Sequence, residues 1–192
     1  MGLCVVVGAS EASHNQGRVH IFNRVGGEWA EGQTIKQHEH GVGFFGSSVA
    51  INGQHMAVSA HYGVVFTCML DQRTNTWINN GKHSVPGDDG ESFVSIQNDL
   101  MVATINDMKN HPDECGIVYK LTATTSNNNH GDVVWKEFAR LTIKGDPMTS
   151  RQSNLAVSVE GKFVFTGRVD YRHESVNKVF VHDLSNYNNL LN

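Results

Sequence analysis

Histidine is the residue type with the widest chemical range in this sequence, which contains 11 of them in 192 residues. Imidazole donates and accepts hydrogen bonds, binds transition metals and titrates near neutral pH. Six histidines fall in polar segments between apolar runs and are predicted to lie in loops: His14, His38, His40, His61, His111 and His173. The spacing of His38 and His40 could hold a transition metal on an extended segment. We favour ordinary exposed loop histidines, and no metal site is predicted.

Sequence motifs of known catalytic chemistry are absent. There is no Gly-x-Ser-x-Gly, no His-Glu-x-x-His and no phosphate-binding glycine loop. The segment 41–46 spells Gly-x-Gly-x-x-Gly, but it precedes a predicted strand and opens no helix, so we interpret it as a connecting loop. We therefore expect that the chain is not an enzyme and uses no cofactor.

Composition and charge argue against several kinds of partner. The formal net charge is −4 and there is no run of Lys or Arg, so neither nucleic acid nor an anionic membrane is expected to bind. No apolar stretch approaches the length of a membrane span, so no inserted segment is predicted. The three cysteines are too few and too scattered for a disulfide framework or a zinc site, which predicts free thiols.

The elements that must position the loops form a repeat. Short apolar runs that end in small residues recur along the chain. Their intervals are near the roughly 40–50 residues typical of four-stranded repeat units, with one long insertion before the last run. The runs are 5–9, 56–60, 100–104 and 163–167. Each is followed by a second apolar strand, and three are preceded by an alternating strand and a tight turn such as Asn52-Gly53. We predict an all-β fold of β-propeller blades, each built from four antiparallel strands.

The repeat divides the chain into four units, which we place at approximately 1–41, 42–87, 88–145 and 146–192. The first unit lacks its first strand and the last lacks its fourth, which leaves about three and a half blades of one partial propeller. An irregular β-sandwich is the alternative fold. A half-size ring exposes sheet edges and apolar faces. We therefore expect a piece of a longer propeller, or else self-association or a compact four-bladed closure.

One face of such a propeller would collect the candidate binding residues. The loops between the second and third strands of a blade emerge on the same side as the connections between blades, and loops on a rigid scaffold are common binding sites. The residues that we predict to bind a ligand are His14, His61, Tyr62, Asp107, His111, Asp113, Asp170, Tyr171, Arg172 and His173.

Tryptophan recurs after the third strand of the first three units, at Trp29, Trp77 and Trp135. Indole rings can stack on sugars, which would suggest a carbohydrate site. The repeated position favours a structural role instead, in which each ring packs its blade against the next. We predict that role for all three.

The second unit resembles a known repeat family. Its segment 45–53 begins Phe-Gly, the following run is 56–60, and Gly8-Ala9-Ser10 in the first unit matches a second family signature except for its proline. These segments resemble FG-GAP repeats, the blades of integrin alpha-chain propellers. The resemblance implies a ring of about seven blades, adhesion, and an extracellular or cell-surface location. The first-to-second strand turns are too short for the calcium loops found in some such blades, so no calcium is expected.

The function that follows is display of loops for recognition by a non-enzymatic scaffold. The expected ligand is an unidentified protein or glycan. A lectin-like carbohydrate-binding propeller is one alternative. A fragment of a propeller enzyme that acts on glycans is the other, and it would need paired carboxylates near the axis.

Overall fold

A computed structural model describes residues 3–37, 41–86, 92–106, 113–123, 133–144, 152–170 and 177–190. These residues form four antiparallel sheets, in each of which neighbouring strands are consecutive in the chain. Sheet 1 contains β1 (Cys4–Ala9), β2 (Arg18–Val25) and β3 (Glu28–Lys36). Sheet 2 contains β4 (Val49–Asn52), β5 (His55–Ala60), β6 (Val64–Asp71) and β7 (Thr76–Ser84). Sheet 3 contains β8 (Val94–Gln97), β9 (Leu100–Thr104), β10 (Glu114–Ala123) and β11 (Val133–Thr142). Sheet 4 contains β12 (Gln152–Glu160), β13 (Phe163–Asp170) and β14 (Lys178–Asp183).

Two short helical segments accompany the strands in the described part of the chain. The first, α1 (Ala12–Asn15), is a single turn between β1 and β2 in which Ser13, His14 and Asn15 have left-handed φ values of 56°, 58° and 63°. The second is a 3-10 helix (Leu184–Leu190) that follows β14. No helix among the described residues has the length and apolar character to cross a bilayer.

The first hairpin of each of sheets 2, 3 and 4 turns through two residues. In sheet 2, Asn52 pairs with His55 across the turn. The first turn residue has a positive φ in all three hairpins, at Gly53 (58°), Asn98 (55°) and Gly161 (58°). Glycine and asparagine tolerate this left-handed conformation better than other residues. The turn predicted at Asn52-Gly53 is therefore confirmed, and its geometry recurs from sheet to sheet.

The sheets pack face to face because side chains alternate along the central strands. On β5, Met56 and Val58 join an apolar cluster shared with sheet 1, whereas Ala57 joins a cluster shared with sheet 3. On β9, Met101 faces sheet 2 and Val102 faces sheet 4. Sheets 2 and 3 are therefore buried on both faces, and the described residues cover sheets 1 and 4 on one face each.

The first strands of adjacent sheets are linked by serine hydroxyls. The Val94 backbone N–H donates to Ser48 Oγ on the sheet 2 side (3.1 Å), and the Val159 N–H donates to Ser95 Oγ (3.3 Å). These bonds bring β4, β8 and β12 side by side, with the later strands of each sheet further out. The predicted all-β fold of four-stranded blades, with incomplete first and last blades, is confirmed by this arrangement. The unit limits remain a prediction.

The burial of the three tryptophans differs according to whether a neighbouring sheet covers them. Trp77 and Trp135 are only 7% and 6% exposed, and both belong to clusters between sheets. Trp29 is 50% exposed. The predicted structural role is confirmed for Trp77 and Trp135, although each packs its blade against the preceding one and not against the next. It is wrong for Trp29, because Trp29 lies on the face of sheet 1 that no described sheet covers.

Candidate functional site

Three of the predicted binding residues line one cavity. His14 comes from α1, and His61 and Tyr62 come from the turn between β5 and β6. We call this the loop-face cavity. It has a volume of about 650 Å³ and is lined by His14, Asn15, Gln16, Gln37, Gly41, Val42, Gly43, Phe44, His61 and Tyr62. Its size falls in the range of pockets that hold small ligands.

Backbone hydrogen bonds join the three segments that form the loop-face cavity. The Phe44 N–H donates to the carbonyl of Asn15 (2.7 Å), and the His61 N–H donates to the carbonyl of Gly43 (2.9 Å). The connection between sheets 1 and 2 is thus held between the other two loops. Because the loops are fixed to each other through their main chains, the cavity is largely formed before a ligand arrives.

An aromatic cluster forms one side of the cavity. The rings of Phe44 and His61 have centroids 5.2 Å apart, and those of His61 and Tyr62 are 4.3 Å apart at 63°. Tyr62 is 53% exposed, although it is a large aromatic residue. The cluster therefore presents ring surface to solvent at the cavity mouth, where a ligand could contact it.

Unusual backbone geometry is concentrated around the same cavity. Residues other than glycine with positive φ include His14 (58°), Asn15 (63°), Phe44 (56°) and Tyr62 (60°). The left-handed region costs about 1–2 kcal/mol for such residues. Strain of this kind persists where surrounding contacts impose it, and it clusters at binding sites. The strain therefore marks the loop-face cavity independently of its side-chain chemistry.

The structure does not bring the other predicted site residues into this cavity. Asp113 is an exposed turn residue before β10, and its carbonyl accepts a hydrogen bond from the Ile143 N–H (2.8 Å). Asp170 ends β13. Asp107, His111, Tyr171, Arg172 and His173 lie outside the described residues, as do His38 and His40.

A second cavity, which the sequence reasoning missed, lies between sheets 1 and 2 at the end with the β4–β5 and β6–β7 turns. This turn-face groove has a volume of about 740 Å³, and its lining includes Asn23, Arg24, Gln33, Asn75 and Trp77. Gln33 is committed to structure, because its side chain donates to the Trp77 carbonyl (2.9 Å) and accepts from the Trp77 N–H (2.7 Å). No sequence motif marks the groove, since it is created by the packing of two sheets.

A buried cysteine and histidine meet between sheets 3 and 4. Cys115 Sγ lies 3.5 Å from His182 Nε2, and the Thr166 hydroxyl lies 3.2 Å from the same nitrogen. Burial raises the pKa of the Cys115 thiol to about 11. A thiol with that pKa is protonated at neutral pH and is not a nucleophile. The contact is structural, and the three cysteines are free thiols, as predicted.

Metal ligands do not cluster in the described ranges. No group of three or more His, Cys, Asp or Glu side chains there is placed to hold an ion.

Acidification should destabilise the fold through three partly buried histidines. Burial lowers the pKa of His55, His83 and His182, because desolvation disfavours the charged imidazolium. As the pH falls through about 6.5, these histidines are protonated in the unfolded chain before they are protonated in the folded chain. The free energy of unfolding is therefore at its full value above that pH and decreases below it. We expect a lower melting temperature at about pH 5.5 than at about pH 7.5, a window above the titration range of ordinary carboxylates.

The variant that tests this pH effect is His182→Gln, followed by thermal unfolding in circular dichroism. Removal of one of the three titrating groups should make the melting temperature less dependent on pH. A wild-type melting temperature that stays constant or rises on acidification would contradict the expectation.

Comparisons with known proteins identify no family. No family model matches the sequence, and no curated protein matches it. Among solved structures, the chain is similar to the GH43 endo-arabinanase from Bacillus licheniformis, with 10% sequence identity and a TM-score of 0.41. The similarity covers 94% of this chain and 68% of that one.

These comparisons correct two expectations from the sequence. The resemblance to FG-GAP repeats and integrin alpha chains is wrong, since no family model supports it and the similar structure is not an integrin. Adhesion and a cell-surface location lose their support with it. The expectation that the chain is not an enzyme is also contradicted, because the similar structure is that of an enzyme. The degenerate Phe-Gly segment reflects a local turn and strand pattern, which unrelated blades can share.

Proposed function

We propose that this chain recognises a glycan, and that a neutral oligosaccharide binds in the loop-face cavity. The observation that carries the proposal is the composition of that cavity. Exposed aromatic surface from Tyr62 and His61 stands beside the uncharged amide side chains of Asn15, Gln16 and Gln37. No Asp, Glu, Lys or Arg is among the described residues that line it.

The physical match to a sugar is direct. A pyranose or furanose ring has apolar C–H faces that pack on aromatic rings, which provide large rigid surfaces. Its hydroxyl groups both donate and accept hydrogen bonds, and amide side chains offer both functions without a charge to desolvate. An ionic ligand would instead require a charged partner in the cavity. The lining therefore favours a neutral, hydroxyl-rich ligand.

The shape of the site favours a glycan over a protein surface. Protein–protein interfaces bury about 800 Å² on each partner and are built around apolar anchors. The loop-face cavity is concave and is lined mostly by polar side chains. A short oligosaccharide can fill such a cavity, whereas a folded protein would reach it only with a protruding loop.

Binding is tested with isothermal titration calorimetry after a screen of neutral polysaccharides and oligosaccharides, arabinan among them. Tyr62→Ala should weaken binding by roughly tenfold, because one aromatic stacking contact is worth about 0.5–1.5 kcal/mol beyond the area that it buries. Tyr62→Phe keeps the ring and is the matched control, with affinity close to wild type if stacking dominates.

Arg24→Ala in the turn-face groove distinguishes the two cavities. We expect this variant to bind normally. Loss of binding in Arg24→Ala with full binding in Tyr62→Ala would move the site to the groove and refute the assignment. The same incubations are assayed for new reducing ends, so that any cleavage of the bound glycan is measured separately from binding.

A further inference from the structure

The two end sheets each present an apolar face to solvent. For every sheet we call the face towards the preceding sheet its leading face and the face towards the following sheet its trailing face. Each internal contact joins a trailing face to the leading face of the next sheet. In the described chain, the leading face of sheet 1 and the trailing face of sheet 4 are uncovered. Their exposed apolar residues are Leu3, Val5, Val7 and Trp29 on the first, and Phe163, Phe165, Val179 and Val181 on the second.

Sheet 1 carries residues suited to a buried contact on its uncovered face. Counted back from the ends of β1 and β5, Val5 and Val7 correspond to Met56 and Val58. Met56 and Val58 are fully buried in the contact between sheets 1 and 2, whereas Val7 is 46% exposed. Trp29 likewise corresponds to the buried Trp77 and Trp135. The leading face of sheet 1 thus has the composition of the buried leading faces.

The trailing face of sheet 4 shows the same relation. Counted from the first hairpin, Phe165 on β13 corresponds to Ala57 on β5 and to Val102 on β9. Both of those residues are fully buried between sheets. Val181 pairs directly with Phe165 and lies on the same face, which it shares with Val179. Exposed aromatic and branched side chains at these positions form a patch of the kind that marks an interaction surface.

We propose that a second copy of this chain covers these faces, in a head-to-tail contact between the trailing face of sheet 4 in one copy and the leading face of sheet 1 in the other. The argument is that a leading face and a trailing face are complementary. Every internal contact needs one face of each kind, and the chain exposes one of each, so that two identical copies supply what both faces lack. Such a contact is heterologous, and it closes into a ring if the curvature of the two arcs matches.

The polar residues on the leading face of sheet 1 are compatible with this contact. His20 Nδ1 lies 2.8 Å from Glu31 Oε1, and the Thr34 hydroxyl donates to the same carboxylate (3.1 Å). These three side chains are hydrogen-bonded to one another. Arg24, which pairs with Trp29 on the same face, donates to the Gly27 carbonyl (3.0 Å), so its guanidinium keeps a hydrogen bond when the neighbouring valines and Trp29 are buried. The apolar residues can therefore supply the driving force, as they do between sheets 2 and 3.

The test is the mass of the purified chain in size-exclusion chromatography with light scattering, over a roughly hundredfold range of concentration. A single copy has a mass of 21.2 kDa. We expect a concentration-dependent rise to twice that mass, or to larger multiples if the ring does not close. A mass that stays at one copy throughout would overturn the proposal.

Single substitutions establish which faces meet. Val7→Asp and Val181→Asp each place a charge in the contact, and each should weaken association by about a hundredfold or more. An equimolar mixture of the two variants should regain a dimer, because it contains one intact face of each kind. A contact between two like faces would be sensitive to only one of the variants, and that result would refute the head-to-tail arrangement.

Ile78→Asp is the matched control. Ile78 is also an exposed apolar strand residue, but it lies on β7 and belongs to neither end face. It should leave association unchanged. All three substituted positions are exposed, so near-ultraviolet circular dichroism should show native folding. If Ile78→Asp dissociates the oligomer as strongly as Val181→Asp does, the contact lies elsewhere and the proposal fails.

Discussion

Replacement of Gly8 by alanine is expected to lower the free energy of unfolding by about 3 kcal/mol or more. A Cβ atom at this position would lie 1.9 Å from the carbonyl oxygen of Gly46, far inside van der Waals contact. The obstacle is main chain, which cannot rotate away as a side chain can. Gly46 is itself anchored, since its N–H donates to the Ser59 carbonyl (2.9 Å). The strand β1 must therefore move away from the connection to sheet 2, and the packing of Val19 and Ile21 is lost with it.

The experiment compares melting temperatures of Gly8→Ala and Gly53→Ala. Gly53 has a positive φ, but nothing lies within 4 Å of its added Cβ, so only the backbone cost of about 1 kcal/mol applies. A chain of this size loses roughly 2–4 °C for each kcal/mol, which gives a drop of roughly 6–12 °C for Gly8→Ala. Equal and small shifts in the two variants would show that β1 and the 44–46 segment do not approach each other as described.

Trp77→Ala is expected to destabilise the chain by about 3–5 kcal/mol, the usual cost of removing a buried aromatic side chain. The Trp77 indole fills the space between sheets 1 and 2, and its own main chain is fixed by Gln33 across the same contact. The surrounding side chains come from two separate sheets, so they cannot collapse into the cavity without moving a whole blade. Urea unfolding followed by far-ultraviolet circular dichroism, which reports the backbone and does not rely on tryptophan fluorescence, measures the change in the free energy of unfolding.

Trp29→Ala provides the paired control, since the residue type and the position in the blade are the same. Trp29 is half exposed in the single chain, and its removal should cost about 1 kcal/mol or less at concentrations where the chain is monomeric. The same variant should weaken self-association if the head-to-tail contact is correct. If Trp29→Ala destabilises the monomer as much as Trp77→Ala does, sheet 1 must be covered on both faces within one chain.

The loop-face cavity could be predicted only in part from the sequence. His14, His61 and Tyr62 could be assigned to one face because blade topology dictates where the second-to-third loops emerge. Their convergence on one cavity depends on the connection at residues 41–46. In that connection, the Phe44 N–H donates a hydrogen bond to the Asn15 carbonyl, and the Gly43 carbonyl accepts one from the His61 N–H. The turn-face groove had no counterpart in the sequence analysis, because its lining comes from distant segments whose spacing follows no motif.

Local chemistry in the sequence determined the strands, the two-residue hairpins and their order along the chain. The run predicted at 100–104 is β9, and the turn at Asn52-Gly53 forms as expected, because alternation of apolar residues and tolerance of positive φ act over a few neighbouring residues. Only the tertiary structure decided which faces became buried. Trp29, Trp77 and Trp135 occupy like positions in the sequence, yet burial of a side chain requires a sheet on its other side, and that neighbour is set by the path of the whole chain.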